Sequence, residues 1–157
     1  MEPTTDMRVS LEDLPTTTTI ALTPAFVGES IATMPLRAAL ERGPDDPRAG
    51  GGEVRLELHA DGTSVFATGT LNGWIEVACG RCLGPARVPI DEVLRVTYLP
   101  EAEVPKDPVE AEEDLTAGPQ GLDDELDVYG YDGETRVIDL APLLREQLVL
   151  AVPYAPL

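Results

Sequence analysis

The chain has 157 residues, 11 basic and 29 acidic side chains, and a formal net charge of −18. That length suits one domain with a sizeable core, and an apolar share of 43% excludes a wholly disordered chain. The excess of acid argues against a general nucleic-acid coat, because phosphate binding needs Lys and Arg; such a surface suits basic protein partners or solubility. No run approaches the ~18 apolar residues of a membrane span. Residues 1–6 show no basic segment followed by an apolar one. The expectation is a cytoplasmic chain without membrane contact.

In chain order, Arg8-Val9-Ser10-Leu11 alternates as a short strand, and the β-branched run Thr16 to Leu22 predicts another. Thr33 is placed to cap a short helix with Pro35 in its first turn and Gly43 at its end. Gly43 to Gly52 reads as a loop. Val54, Leu56 and Leu58 then alternate with Arg55, Glu57 and His59, which puts the aliphatics on one face of a strand. Asp61-Gly62 marks a turn before a strand over Val65–Leu71. Asn72-Gly73 predicts a hairpin turn, because both central positions of a type I′ turn need positive φ. Trp74 to Val77 is expected to return antiparallel. Val88 to Tyr98 predicts a further strand, with Leu94, Val96 and Tyr98 on one side.

The acid is unevenly spread. Residues 101–135 hold 13 acidic side chains against Lys106 alone, together with several Pro and Gly. Too few apolar residues stand there to offset ordering entropy. Residues 101–135 thus carry −12 and the rest of the chain −6, and residues 100–124 are therefore expected to form a flexible acidic loop. Val137-Ile138 suggests a brief strand. Asp139 is a natural N-cap for a helix over Leu140–Ala151, with Leu140, Leu144 and Leu148 on one stripe and Pro153 and Pro156 as its stop.

The expected fold is α+β. An antiparallel, twisted and barrel-like sheet carries the C-terminal helix, with the short N-terminal helix at one end, in a single domain over residues 1–157. The expected core is Val54, Leu56, Leu58, Val65, Leu71, Ile75, Val77, Leu94, Val96, Leu140, Leu144 and Leu148.

Cys79-Gly80-Arg81-Cys82 is the one motif with evident chemistry. Two intervening residues let both thiolates reach one tetrahedral zinc, and the same spacing serves disulfide exchange. A redox site usually opens a helix in a βαβ setting, whereas this motif ends a strand of an antiparallel meander. Zinc needs two further ligands, and His59, the single histidine, is expected on a polar surface.

The segments Gly69-Thr70-Leu71, Ile75 to Leu83 with its CxRC motif, and the strand over Val88–Tyr98 are followed by an acidic spacer. Then come Val137-Ile138-Asp139-Leu140 and the helix Arg145-Glu146-Gln147-Leu148-Val149-Leu150-Ala151 with Pro153. In this order they resemble the YceD family of bacterial and plastid proteins, over roughly residues 50–156. The resemblance implies a part in synthesis, processing or accumulation of large-subunit rRNA, with no catalytic residues to carry across. Many relatives continue past the closing proline into a second cysteine cluster, whereas this chain ends at Leu157. Cys79 and Cys82 are thus expected as a half-site for zinc, completed only by a further tail or a second chain.

Three functions compete. The first is a non-enzymatic assembly factor, without a small-molecule substrate, that contacts a basic ribosomal protein or a pre-ribosomal particle. The second is direct rRNA contact through Arg81, Arg87 and Arg95 around the CxRC turn, with Trp74 as a stacking surface and the acidic loop nearby. In that case the arginines must not be spent on Glu76, Asp91 and Glu92. The third is a thiol redox protein.

Overall fold

The computed structural model describes residues 3–43, 46–79, 81, 84–104 and 128–152. Three long strands dominate it: β3 (Gly50–Asp61), β4 (Ser64–Ala78) and β5 (Pro85–Pro100). β2 (Thr16–Leu22) flanks β3, and β6 (Val128–Tyr131) flanks β5, giving the sheet order β2-β3-β4-β5-β6. The sheet is open, since β2 and β6 do not pair, so the barrel-like expectation is corrected. All pairings are antiparallel except that of β6, which runs parallel to β5. A parallel neighbour needs a long crossover, and the connection from Pro100 to Val128 supplies it.

β1 (Arg8–Ser10) pairs with β7 (Val137–Asp139) as a separate ribbon, Val9 facing Ile138. α1 is Pro24–Ile31, α2 is Pro35–Ala38, and α3 is Ala141–Ala151. One contiguous core joins the inner sheet face (Ile20, Val54, Leu56, Leu71, Ile75, Val96 among others) to Val27 and Ile31 of α1, Ile138 of β7, and Leu143, Leu144 and Leu148 of α3. All twelve core residues expected from the sequence are buried.

The meander differs from expectation at its centre. Asn72 and Gly73 make no hairpin; they lie inside β4, with Asn72 between Glu53 and Asp91 and Gly73 between Gly52 and Ile90. Glycine is needed here for closeness rather than for positive φ: a Cβ on Gly73 would collide with the carbonyl oxygen of Gly51. The true hairpin turn is at Gly62, whose φ is +65°.

At the N-terminal side, the helix predicted from Thr33 is only Pro35–Ala38, with Met34 at its N-cap position and no side-chain cap. The stronger helix, α1, starts eleven residues earlier, at Pro24, in a similar threonine–proline pattern. Thr23 Oγ1 accepts from the Phe26 N–H at 3.2 Å, and Pro24 opens the first turn. Gly50–Gly52, read as loop, begin β3. Asp139 does cap α3, but from one residue before the cap position, accepting the Ala141 N–H at 3.0 Å. Pro100 ends β5, and Glu101–Glu103 form a 3-10 turn, so the ordered chain extends into the acidic segment. Residues 105–124 of that segment, Pro153 and Pro156 lie outside the described residues.

Tyr98 and Tyr131 tie β5 and β6 into the core. Tyr131 donates its hydroxyl to the Thr63 carbonyl at 2.6 Å, whereas the buried Tyr98 hydroxyl has no hydrogen-bond partner among the described residues. Burial pushes the Tyr98 phenol well above its ordinary pKa, and the Asp139 carboxylate adds a smaller push in the same direction. A raised folded pKa stabilises the protein fully below the unfolded value and is lost as pH rises. Stability is therefore expected to fall above about pH 10, by up to about 1.4 kcal/mol per pH unit from this group. Urea unfolding across that range checks it, with Tyr98→Phe giving a shallower alkaline slope. The same assay tests the strand assignment. Gly73→Ala should lose about 1–3 kcal/mol through overpacking, while Asn72→Ala, exposed on the outer face, should change stability by under about 0.5 kcal/mol. A type I′ turn would penalise both.

Candidate functional site

The turn between β4 and β5 carries the CxRC motif. The strands close on it through the Ala78–Pro85 pair, and the Cys79 N–H donates to the Gly84 carbonyl at 2.7 Å. Cys79 is half-buried and Arg81 is exposed in the turn. Cys82, the other half of the expected zinc site, lies outside the described residues. Among the described residues, no three His, Cys, Asp or Glu side chains converge as metal ligands. His59 is at the far end of the sheet, paired with Phe66, and about 40 Å of strand separates Phe66 from Ala78. It is exposed, as expected, and cannot join Cys79.

The expected arginine cluster is divided. Arg87 is two residues into β5 from the turn and exposed, and its guanidinium carbon sits 3.9 Å from the centroid of the Trp74 ring. Trp74 is half-buried and stacks its own arginine, a cation–π contact rather than an open platform. Arg95, paired with Thr68, is eight residues further along β5, about 26 Å away from Arg87. Arg81, Arg87 and Trp74 share one end of the sheet, and Arg95 does not. The described anchors of the acidic segment are not beside them either. Its described anchors, Val104 and Val128, lie at the opposite end of β5, where Thr97 pairs with Val128.

Glu76, expected to pair with these arginines, is engaged elsewhere. Arg37 of α2 donates from Nη1 to the Glu76 carbonyl oxygen at 3.0 Å and to its Oε1 at 3.1 Å. Arg42 Nη1 reaches the same Oε1 at 3.4 Å. The Arg37 side chain is 2% exposed and that of Glu76 10%. Next along the chain, Arg48 grips Asp46 with two side-chain bonds at 2.7 and 2.9 Å. With a backbone bond from the same arginine, they hold the Asp46 carboxyl well below the usual carboxylate range. This fold of residues 46–49 presents the Ala49 carbonyl to the Glu76 N–H at 2.8 Å. Two guanidiniums therefore share one carboxylate directly behind the CxRC end of the sheet.

No sequence signal pointed to Arg37 or Arg42. An arginine in a short helix reads as solvent-facing, and its partner is 39 residues away. A buried charge left without its counter-ion is expensive. Glu76→Ala and Arg37→Ala should each lose about 3–5 kcal/mol of unfolding free energy. Arg42→Ala, whose side chain is partly solvated, should lose about 1 kcal/mol or less. Denaturant titration of the three variants measures this.

Comparison with curated proteins and with solved structures gave no match. A family model described as large ribosomal RNA subunit accumulation protein YceD matches residues 67–157. The matched span starts within β4 and runs through the CxRC turn, β5, the acidic segment and α3, more than half of the chain. The parts of it that the structure describes build the site's turn and the helix behind the sheet, and the chain belongs to the YceD family.

Proposed function

We propose that the protein is a non-enzymatic factor in assembly of the large ribosomal subunit, acting by contact with a basic ribosomal protein or a pre-ribosomal particle. Membership of a family named for large-subunit rRNA accumulation carries the ribosomal part of this reading. The distribution of charge supports the kind of partner. Residues 101–135 carry 13 acids and one lysine, anchored to the sheet at Glu101–Val104 and Val128. A concentrated negative segment attracts a basic partner over several ångströms and raises its association rate more than its final affinity. The cytoplasm, where ribosomal proteins are made, is the compartment this reading requires.

Direct rRNA contact is a second reading. The exposed Arg81 and the exposed Arg87, both at the CxRC end, favour it. The two readings make different demands on the protein. A basic client is held by the acidic segment, and RNA by the two arginines.

Affinity capture of the full chain from a native extract, combined with gradient sedimentation, tests the reading. The expected result is enrichment of basic ribosomal proteins or large-subunit precursors at low salt, lost at high salt. Absence of both at low salt overturns it. For the RNA reading, Arg81→Ala with Arg87→Ala should reduce the salt slope of binding to single-stranded rRNA fragments by about 0.7 per lost phosphate contact. An unchanged slope removes that reading and leaves the first.

A further inference from the structure

The ion cluster behind the CxRC turn does not balance. Arg37 and Arg42 bring two positive charges to it, and Glu76 brings one negative charge. The other charged groups around it do not correct this. Asp46 is held by Arg48. Arg87, opposite Glu76 across the β4–β5 ladder, adds a further cation on the exposed side.

Hydrogen bonding falls short as well. Glu76 Oε1 accepts from Arg37 Nη1, while its 3.4 Å approach to Arg42 Nη1 is an ion-pair contact without hydrogen-bond geometry. Arg37 Nη2 and Arg42 Nη1 are both buried, and neither has an acceptor among the described residues. Buried donors in folded proteins are satisfied as a rule, and each exception calls for a cause. Water would supply an acceptor but leave the charge uncompensated, and an uncompensated buried charge is the costlier fault. An anion supplies both. The backbone is also bent to bring these donors together. Glu41 has a φ of +54°, in the left-handed region that a residue with a Cβ adopts at a cost. The bend precedes Arg42 and turns it back to Glu76. Residues held in such conformations cluster at ligand sites.

We infer that Arg37 and Arg42 form a binding site for one phosphate-type oxyanion. The side chain of Arg42 is 15% exposed against 2% for Arg37, so the ion enters from the Arg42 side. The two open donors belong to different guanidiniums. A planar carboxylate pairs best with the fork of a single arginine, whereas a tetrahedral phosphate offers oxygens in several directions. A free phosphate ion and a backbone phosphate of RNA present the same oxygens. The site is additional to both functional readings above, neither of which uses Arg37 or Arg42.

Thermal melts of the full chain in phosphate, with chloride holding the ionic strength constant, test the site. For a Kd of about 1 mM, about 20 mM phosphate corresponds to a saturable rise in Tm of roughly 4–7 °C. Arg42→Gln removes the more solvated of the two cations and should abolish the saturable rise. What is left is the general stabilisation that phosphate gives by exclusion from protein surfaces. Arg55→Gln removes an exposed arginine paired with Thr70, about 20 Å along the sheet from Glu76, and should keep the rise. Circular dichroism confirms that both variants are folded. Acetate at the same concentration should give a smaller rise than phosphate. A single-stranded rRNA fragment assigns the source. If phosphate no longer raises Tm in its presence, an RNA backbone phosphate fills the site; an undiminished rise assigns the site to the free ion. Equal melting temperatures in phosphate and chloride overturn the proposal, whichever groups then meet the two donors. So does a saturable rise that persists in Arg42→Gln, or one that acetate matches.

Discussion

The register between β3 and β4 is the constraint on which the remainder rests. β4 is paired with β3 over Ser64–Ile75 and with β5 over Val65–Ala78. The alternation of side chains has a period of two, so a slip of one residue would exchange the faces. With β4 and β5 in place, Arg55 and Glu57 of β3 would turn inward, and Val54, Leu56 and Leu58 outward. The register is locked where the two backbones come close, at the Gly52–Gly73 and Leu56–Gly69 pairs, because a Cβ on any of these glycines would collide with a carbonyl oxygen of the facing strand. Gly52 adds a φ of +147°, a backbone conformation that favours glycine. The core, the α3 docking face and the position of the CxRC turn at the end of β4 all follow from that lock.

The same feature explains what the sequence hid. Alternation in Val54–Leu58 and the four-residue spacing of Leu140, Leu144 and Leu148 are local patterns, and they led to the right faces and the right core. Asn72-Gly73 is also a local pattern, and it misled, because the need for glycine came from a strand distant in sequence. α1 was legible in Thr23-Pro24, a cap followed by an N1 proline with Val27 and Ile31 one turn apart. The Thr33-x-Pro35 pattern eleven residues later mimics it. β6 is absent from the predicted elements although Val128-Tyr129-x-Tyr131 carries strand-forming residues, and its parallel direction depends on the route of the chain between elements. The Arg37–Glu76–Arg42 cluster is long-range chemistry between residues that individually look like surface. Of the candidate site, the sequence revealed the turn and its arginines but not which of them stand together.

Charge in this protein has to be considered by location. The net −18 is dominated by residues 101–135, which the fold anchors at the far end of β5. The CxRC end carries the opposite local sign. Arg81 and Arg87 are exposed there, and Arg37 with Arg42 outnumber Glu76 just behind them. A buried ion pair rarely adds stability over an apolar substitute, but breaking one is costly. Its consequence here is positional: α2 and the segment after it are fastened over the end of β4, giving the CxRC turn a fixed base.

This polarity along the sheet bears on how a partner would be met. From the CxRC turn to Pro100, β5 spans sixteen residues, about 50 Å at strand rise, which is several Debye lengths in the cell. The acidic segment's anchors and the arginine end are therefore screened from each other and act as independent features. On the proposed reading, a basic protein that docks against these anchors would meet little of the field of the arginine end, so the two ends would serve separate contacts.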